Sequence, residues 1–260
     1  MFAVDVTPGG RRIRFSASLS LLDRAVATVV EFLKNRQATG RLFDVQLLLR
    51  EALLNAVLHG SRSDPLRTVS LEITAQEGWL HLSVEDQGEG FDWRGRMAAL
   101  PAPTATCGRG LTILALYADG VEFNEAGNRV RLAKSVPGLR GPAPISERTG
   151  QGNPAGRTNM QDIRIENGRT IFCPSGDIVA SMAEAMRTRL RDIMHEHPGP
   201  LTIDLSRVEL IDSVGIGLLI AAHNSLAKGG GRLALENVNP DLTGLLRTMR
   251  LDKHFMIEPA

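Results

Sequence analysis

Residues 137–160 read PGLRGPAPISERTGQGNPAGRTNM, a stretch of proline, glycine and arginine without apolar periodicity. A segment of that composition buries too little apolar surface to hold a fold of its own, and it reads as a flexible linker. It constrains everything else, because it cuts the 260 residues into a first domain, 1–136, and a second, 161–260. Each piece is of ordinary domain size. With 43% hydrophobic and 23% charged residues in the chain, each can build a core. No internal repeat relates the two halves.

The charge balance removes several function classes. Thirty basic residues against 29 acidic leave a net charge of +1, which offers no electrostatic case for nucleic acid or for an anionic membrane. Aromatic residues are only 4%, too few for a base-stacking surface. Cys107 and Cys173 lie in different halves and suggest neither a disulfide framework nor a zinc site. No run approaches the roughly 18 apolar residues of a membrane span, and the opening MFAVDVTPGGRR does not read as a signal peptide. The expectation is a cytoplasmic protein with no membrane and no direct nucleic-acid partner.

In the first half, helical spacing is expected over 21–35 and over 43–59, and strand alternation over 68–73 and 79–84 around the turn AQEG. Residues 94–107 read as a mobile loop, 110–117 as a short helix, and strands follow near 120–123 and 129–133. Helices followed by a meandering antiparallel sheet make an α/β sandwich. In the second half a hairpin is expected around Asn167-Gly168, then a helix over 180–195, a strand over 201–205, a helix over 216–228, a strand over 232–235 and a helix over 241–249 after Pro240. Alternating strands and helices imply a sheet covered by helices, so the chain is a two-domain α+β and α/β protein.

The helix VQLLLREALLNAVLHG is apolar on nearly every side, the signature of a buried helix. Yet Glu51, Asn55 and His59 sit at i, i+4 and i+8 on one stripe. Buried polar groups are costly unless partnered, so the stripe requires a polar network, a metal or a ligand. Two glycine motifs follow. VEDQGEGFD supplies Asp86, Gly88 and Gly90 at the end of a strand, and CGRGLTIL supplies Gly108, Arg109 and Gly110 at the mouth of a helix. Each alone could be an ordinary turn or helix start; glycines there also let backbone approach a ligand, and a helix N-terminus offers free N–H groups to phosphate. His195 and His197 end a helix before Pro198 and read as surface residues rather than as metal ligands.

The order helix-E-N, strand-DxGxG, loop-GxG-helix resembles the GHKL (Bergerat-fold) ATPases, and within them the anti-sigma-factor serine kinases, over residues 12–134. The resemblance implies an ATP site using Mg²⁺. It makes Glu51 the catalytic base, Asn55 the Mg²⁺ ligand and Asp86 the acceptor from the adenine amino group. Gly88, Gly90, Gly108 and Gly110 shape the pocket and phosphate lid. Arg109, between the last two, could touch phosphate or be only a solvated side chain. Glutamate can take a serine proton, and an amide oxygen suits a hard cation.

In the second half, LTIDLSRVELIDSVGIGLLI resembles the STAS domains of anti-sigma-factor antagonists over about residues 162–258. Asp212 or Ser213 could simply cap a helix. The resemblance implies instead that Ser213 is a phosphorylation site; Val214 stands where many relatives carry a second hydroxyl. Together the two likenesses imply an ATP-dependent protein serine kinase fused to its substrate-like module. It would act on Ser213 or on the STAS serine of another protein, in a partner-switching system built around a sigma factor, other STAS or anti-sigma proteins and a PP2C-type phosphatase, with a homodimer possible for the kinase half. The alternatives are a non-catalytic ATP-gated adaptor that docks a partner through its STAS domain, and a component of a signalling assembly unrelated to sigma factors.

Overall fold

The computed structural model describes residues 1–7, 9–38, 40–98, 105–106, 108–139, 163–166 and 168–260. These form two compact units.

The first unit runs β1 (Phe2–Thr7), β2 (Gly10–Ser16), α1 (Leu19–Asn35), α2 (Leu42–Leu54), β3 (Thr68–Gln76), β4 (Trp79–Glu85), α3 (Trp93–Ala98), α4 (Gly110–Tyr117), β5 (Gly120–Phe123) and β6 (Arg129–Ser135). Six antiparallel strands lie in the order β1-β2-β3-β4-β6-β5. Period-two alternation sets the register. Ile13, Leu71, Val84 and Val130 stand opposite one another on the buried face, and Arg12, Glu72, Ser83 and Arg131 on the solvent face. α1, α2 and α4 cover the buried face, so the expected sandwich is present. The β3–β4 turn is only Glu77-Gly78, with φ of +49° and +81°, a two-residue hairpin whose twist matches its strands.

Three features differ from the sequence expectation. The β1–β2 hairpin adds two strands ahead of the helices; its signal is the alternation Arg12, Ile13, Arg14, Phe15, with the inward pair fully buried. The long helix expected over 43–59 changes character at Asn55, where a π-helix, Asn55–Gly60, replaces α-helix. And residues 94–98 of the expected loop belong to α3. That helix is anchored because Trp93 stacks on Phe123 at 5.2 Å and donates from Nε1 to the Asn124 carbonyl, while Asp92 accepts from the Gly95 N–H. The remainder of that loop, 99–104 and Cys107, lies outside the described residues. So do residues 140–160 of the expected linker. Its first residues, 137–139, form a turn in which Leu139 is buried and donates its N–H to Val136.

The second unit runs β7 (Ile163–Glu166), β8 (Arg169–Phe172), α5 (Ala183–Glu196), β9 (Leu201–Asp204), α6 (Ser213–Lys228), β10 (Leu233–Val238), α7 (Pro240–Thr248) and β11 (Met256–Pro259). The sheet order is β11-β10-β9-β8-β7, parallel throughout except for the β7–β8 hairpin. All four β9 residues are buried, as expected of a central parallel strand covered on both faces. The expected turn at Asn167-Gly168 has Gly168 at φ +76°, and Asn167 lies outside the described residues. The helix expected from 180 opens with a 3₁₀ turn, Ala180–Met182. The helix expected from 216 begins three residues earlier, at Ser213. Among the described residues no helix is long and apolar enough to cross a membrane.

Candidate functional site

The first unit holds a cavity of about 410 Å³ lined by the π-helix, the loop after β4 and the turn between β5 and β6. Asn55, His59, Asp86 and Gly90 line it. Glu51 stands one α-turn before Asn55 but is 1% exposed, beneath the start of α4 rather than in the open cavity. A carbon added at Gly110 would lie 2.7 Å from Glu51 Oε2 and 3.6 Å from Asn55 Oδ1. The structure therefore brings Glu51, Asn55 and Gly110 together. A π-turn takes more residues than an α-turn, so the stripe of three predicted from i, i+4, i+8 spacing does not continue unchanged past Asn55. Such turns often occur at functional sites.

Asp86 sits at the cavity wall with 8% exposure. Close backbone packing holds it there. A carbon at Gly60 would fall 2.2 Å from the Asp86 carboxyl carbon, and one at Gly88 would fall 2.3 Å from the Gly60 carbonyl oxygen. The Gly88 N–H donates to Asp86 Oδ1 at 2.7 Å. Gly90 has φ +80° and approaches the Ala126 carbonyl so closely that a side chain there would collide. Asn128 secures the loop from the other side. Its Nδ2 donates to the Asp86 carbonyl at 3.2 Å, and its own carbonyl accepts from the Asp86 N–H at 3.0 Å. No sequence motif marks Asn128 or Gly60; their roles follow from the approach of two segments distant in sequence.

Burial pushes the Asp86 carboxyl above the usual carboxylate range, and the Gly88 N–H and the nearby Arg67 pull the other way. A raised native value means that folding favours the protonated form. This group's contribution to stability is fully present below the ordinary carboxylate value and is lost as pH rises through the raised one. Asp86→Asn is thus expected to hold or increase stability at neutral pH, since an amide oxygen can still accept from Gly88. Under the adenine-contact role that the sequence resemblance implies for Asp86, the same change is expected to weaken ATP about 10- to 100-fold, the worth of a charge-assisted hydrogen bond. Thermal unfolding together with calorimetric titration checks both; unaltered ATP affinity would remove Asp86 from the site.

Gly108 adopts φ +84° two residues before α4. Arg109 is 2% exposed, and burial lowers its pKa from the ordinary guanidinium value. It is thus buried and not a solvated side chain.

In the second unit the structure answers why aspartate precedes serine at the mouth of α6. Asp212 is fully buried and is the cap: its Oδ1 accepts from the Gly215 N–H at 2.9 Å, and its Oδ2 from the Ala180 N–H at 2.8 Å. One carboxylate thus closes α6 and ties it to the chain ahead of α5. Gly215 permits the approach, since a carbon there would stand 2.0 Å from the Ile178 carbonyl oxygen. Ser213 is the first helical residue and half-buried. The capping role that either residue could fill belongs to Asp212.

Residues 15–134 match the histidine kinase-like ATPase domain family, and residues 175–258 match a STAS domain family. The chain is 29% identical over 133 residues to the anti-sigma F factor of Geobacillus kaustophilus, covering 48% of this chain and 90% of that one. It is 29% identical over 114 residues to the anti-sigma F factor of Geobacillus stearothermophilus, covering 42% and 78%. Among solved structures it is similar to an anti-sigma factor antagonist from Mycobacterium paratuberculosis, with 28% identity, a TM-score of 0.35, and coverage of 38% of this chain and 83% of that one.

Proposed function

We propose that this chain, a histidine kinase-like ATPase domain joined to a STAS domain, is an ATP-dependent protein serine kinase of a partner-switching system. Its acceptor is a STAS serine, its own Ser213 or a partner's, and its target is a sigma factor or a similar protein. The observation that carries the reading is the joint placement of Glu51, Asn55 and Gly110, together with a cavity that Asn55 and Asp86 both line. The similarity to anti-sigma F factors supports it.

The residues fit a nucleotide with its metal ion. Asp86 accepts from the amino group of adenine, which requires an unprotonated oxygen. Asn55 offers a neutral oxygen suited to Mg²⁺, which would offset the charge of the phosphates. The α4 N-terminus supplies N–H groups and a favourable dipole for phosphate. Glu51 accepts the proton of the attacking serine hydroxyl; the bond from Oγ to the γ-phosphorus forms, the bond to the bridging oxygen breaks, and ADP leaves.

At Ser213 the phosphate adds about −1.5 to −2 charge at a helix N-terminus, where the dipole tolerates it. The fold survives, while a surface built for a neutral serine no longer fits. Incubation with Mg-ATP followed by intact mass and phosphosite mapping tests the reading. If residues 137–160 act as the linker their composition suggests, about 24 residues span on the order of 25–30 Å on average and hold the acceptor at about millimolar effective concentration. Labelling of Ser213 is then expected at a rate independent of protein concentration. A rate climbing linearly with concentration would exclude transfer within one chain. ATP binding with no transfer to Ser213 or to any separate STAS domain would favour the adaptor reading.

A further inference from the structure

The cavity is cationic. Arg62, Arg96 and Arg129 line it, against the single carboxylate of Asp86. Arg129 is already matched, by Glu85 at 2.7 Å. Arg62 and Arg96 have no carboxylate within ion-pair distance among the described residues; Arg96 rests over the Phe91 ring, 5.8 Å from its centre. They come from different elements, Arg62 just past the π-helix and Arg96 from α3. Two unneutralised guanidiniums at one cavity suit an anion of several charges.

The backbone at Arg62 adds a second observation. Arg62 and Ser63 are consecutive non-glycine residues in the left-handed region, at φ +54° and +55°. They lie where the chain leaves the π-helix, with the Ser63 N–H donating to Val57 and the Asp64 N–H to Ser61. Glycine would adopt this conformation without strain. A large side chain kept in a strained conformation at a cavity wall points to a use for that side chain.

We infer that Arg62 and Arg96 bind the phosphate chain of the nucleotide and set the preference of the cavity for a triphosphate over a nucleoside. The inference rests on the reading of the cavity as a nucleotide site. Each guanidinium offers planar, paired donors to phosphate oxygens.

The test uses the full chain and two probes, ATP and adenosine, titrated at low and high salt. Arg62→Gly is the informative variant, because it relieves the left-handed strain and is expected to unfold at the same temperature as the wild type or higher. It should weaken ATP about tenfold, leave adenosine unchanged and flatten the salt dependence of ATP binding. Arg96→Gln should behave likewise toward both probes. ATP affinity unchanged in both variants, or ATP and adenosine weakened equally, would overturn the inference and leave the nucleotide site standing. Absence of ATP binding by the wild type would instead overturn the reading of the cavity itself, and this inference with it.

Discussion

Glu51→Ala is expected to bind ATP with near wild-type affinity and to lose phosphotransfer about 10²- to 10⁴-fold, the usual contribution of a general base. The separation of the two effects follows from position. Glu51 does not line the open cavity; it lies buried beside Gly110, at the start of α4. Under the proposed reading its removal takes away the proton acceptor, while Asn55 and Asp86, which line the cavity, stay in place. Radiolabel transfer at saturating ATP, alongside calorimetric ATP titration, makes the distinction. Loss of binding in parallel with transfer would mean that Glu51 shapes the site and does no chemistry in it. Near wild-type transfer would place the base elsewhere.

Asp212→Ala and Ser213→Ala are expected to differ sharply although the residues are adjacent. Asp212→Ala removes the cap of α6 and leaves the Ala180 and Gly215 N–H groups without their acceptor in a buried place. A lost cap costs about 0.5–2 kcal/mol and a buried orphan donor about 1–3 kcal/mol, so a loss of about 2–4 kcal/mol is expected. For a unit of this size that lowers the unfolding midpoint on the order of 10 °C. Ser213→Ala should cost under about 0.5 kcal/mol and abolish any label on that residue. Urea denaturation followed through amide exchange in α6 and β8–β10 measures both. A Ser213→Ala loss as large as that of Asp212→Ala would make the serine part of the framework, and its phosphorylation would then disrupt the fold rather than switch a surface.

Much of the architecture was written in local pattern. The strands β3 to β6 of the antiparallel sheet, the α4 boundaries and the alternating order of the second half all follow from periodicity and from glycine and proline placement, because these act over a few residues. The same holds for the identity of Glu51, Asn55, Asp86 and Ser213 as residues of interest: each is a polar group set among apolar neighbours or glycines, which is visible in one dimension. What lay beyond the sequence were consequences of close approach between distant segments. The π-turn at Asn55 follows a helix whose buried partners are α1, α4 and the sheet. The helical character of residues 94–98 depends on Trp93 finding Phe123, thirty residues away in the chain. Whether Asp212 or Ser213 capped α6 was undecidable from their order, since either side chain can accept from the helix N–H groups; the Ala180 N–H and the tight contact at Gly215 assign the cap to Asp212. Asn128 and Gly60, which hold Asp86 at the cavity wall, carry no motif at all. Their contribution is made through space, by the fit of backbone to carboxylate, and only the tertiary structure brings those surfaces together.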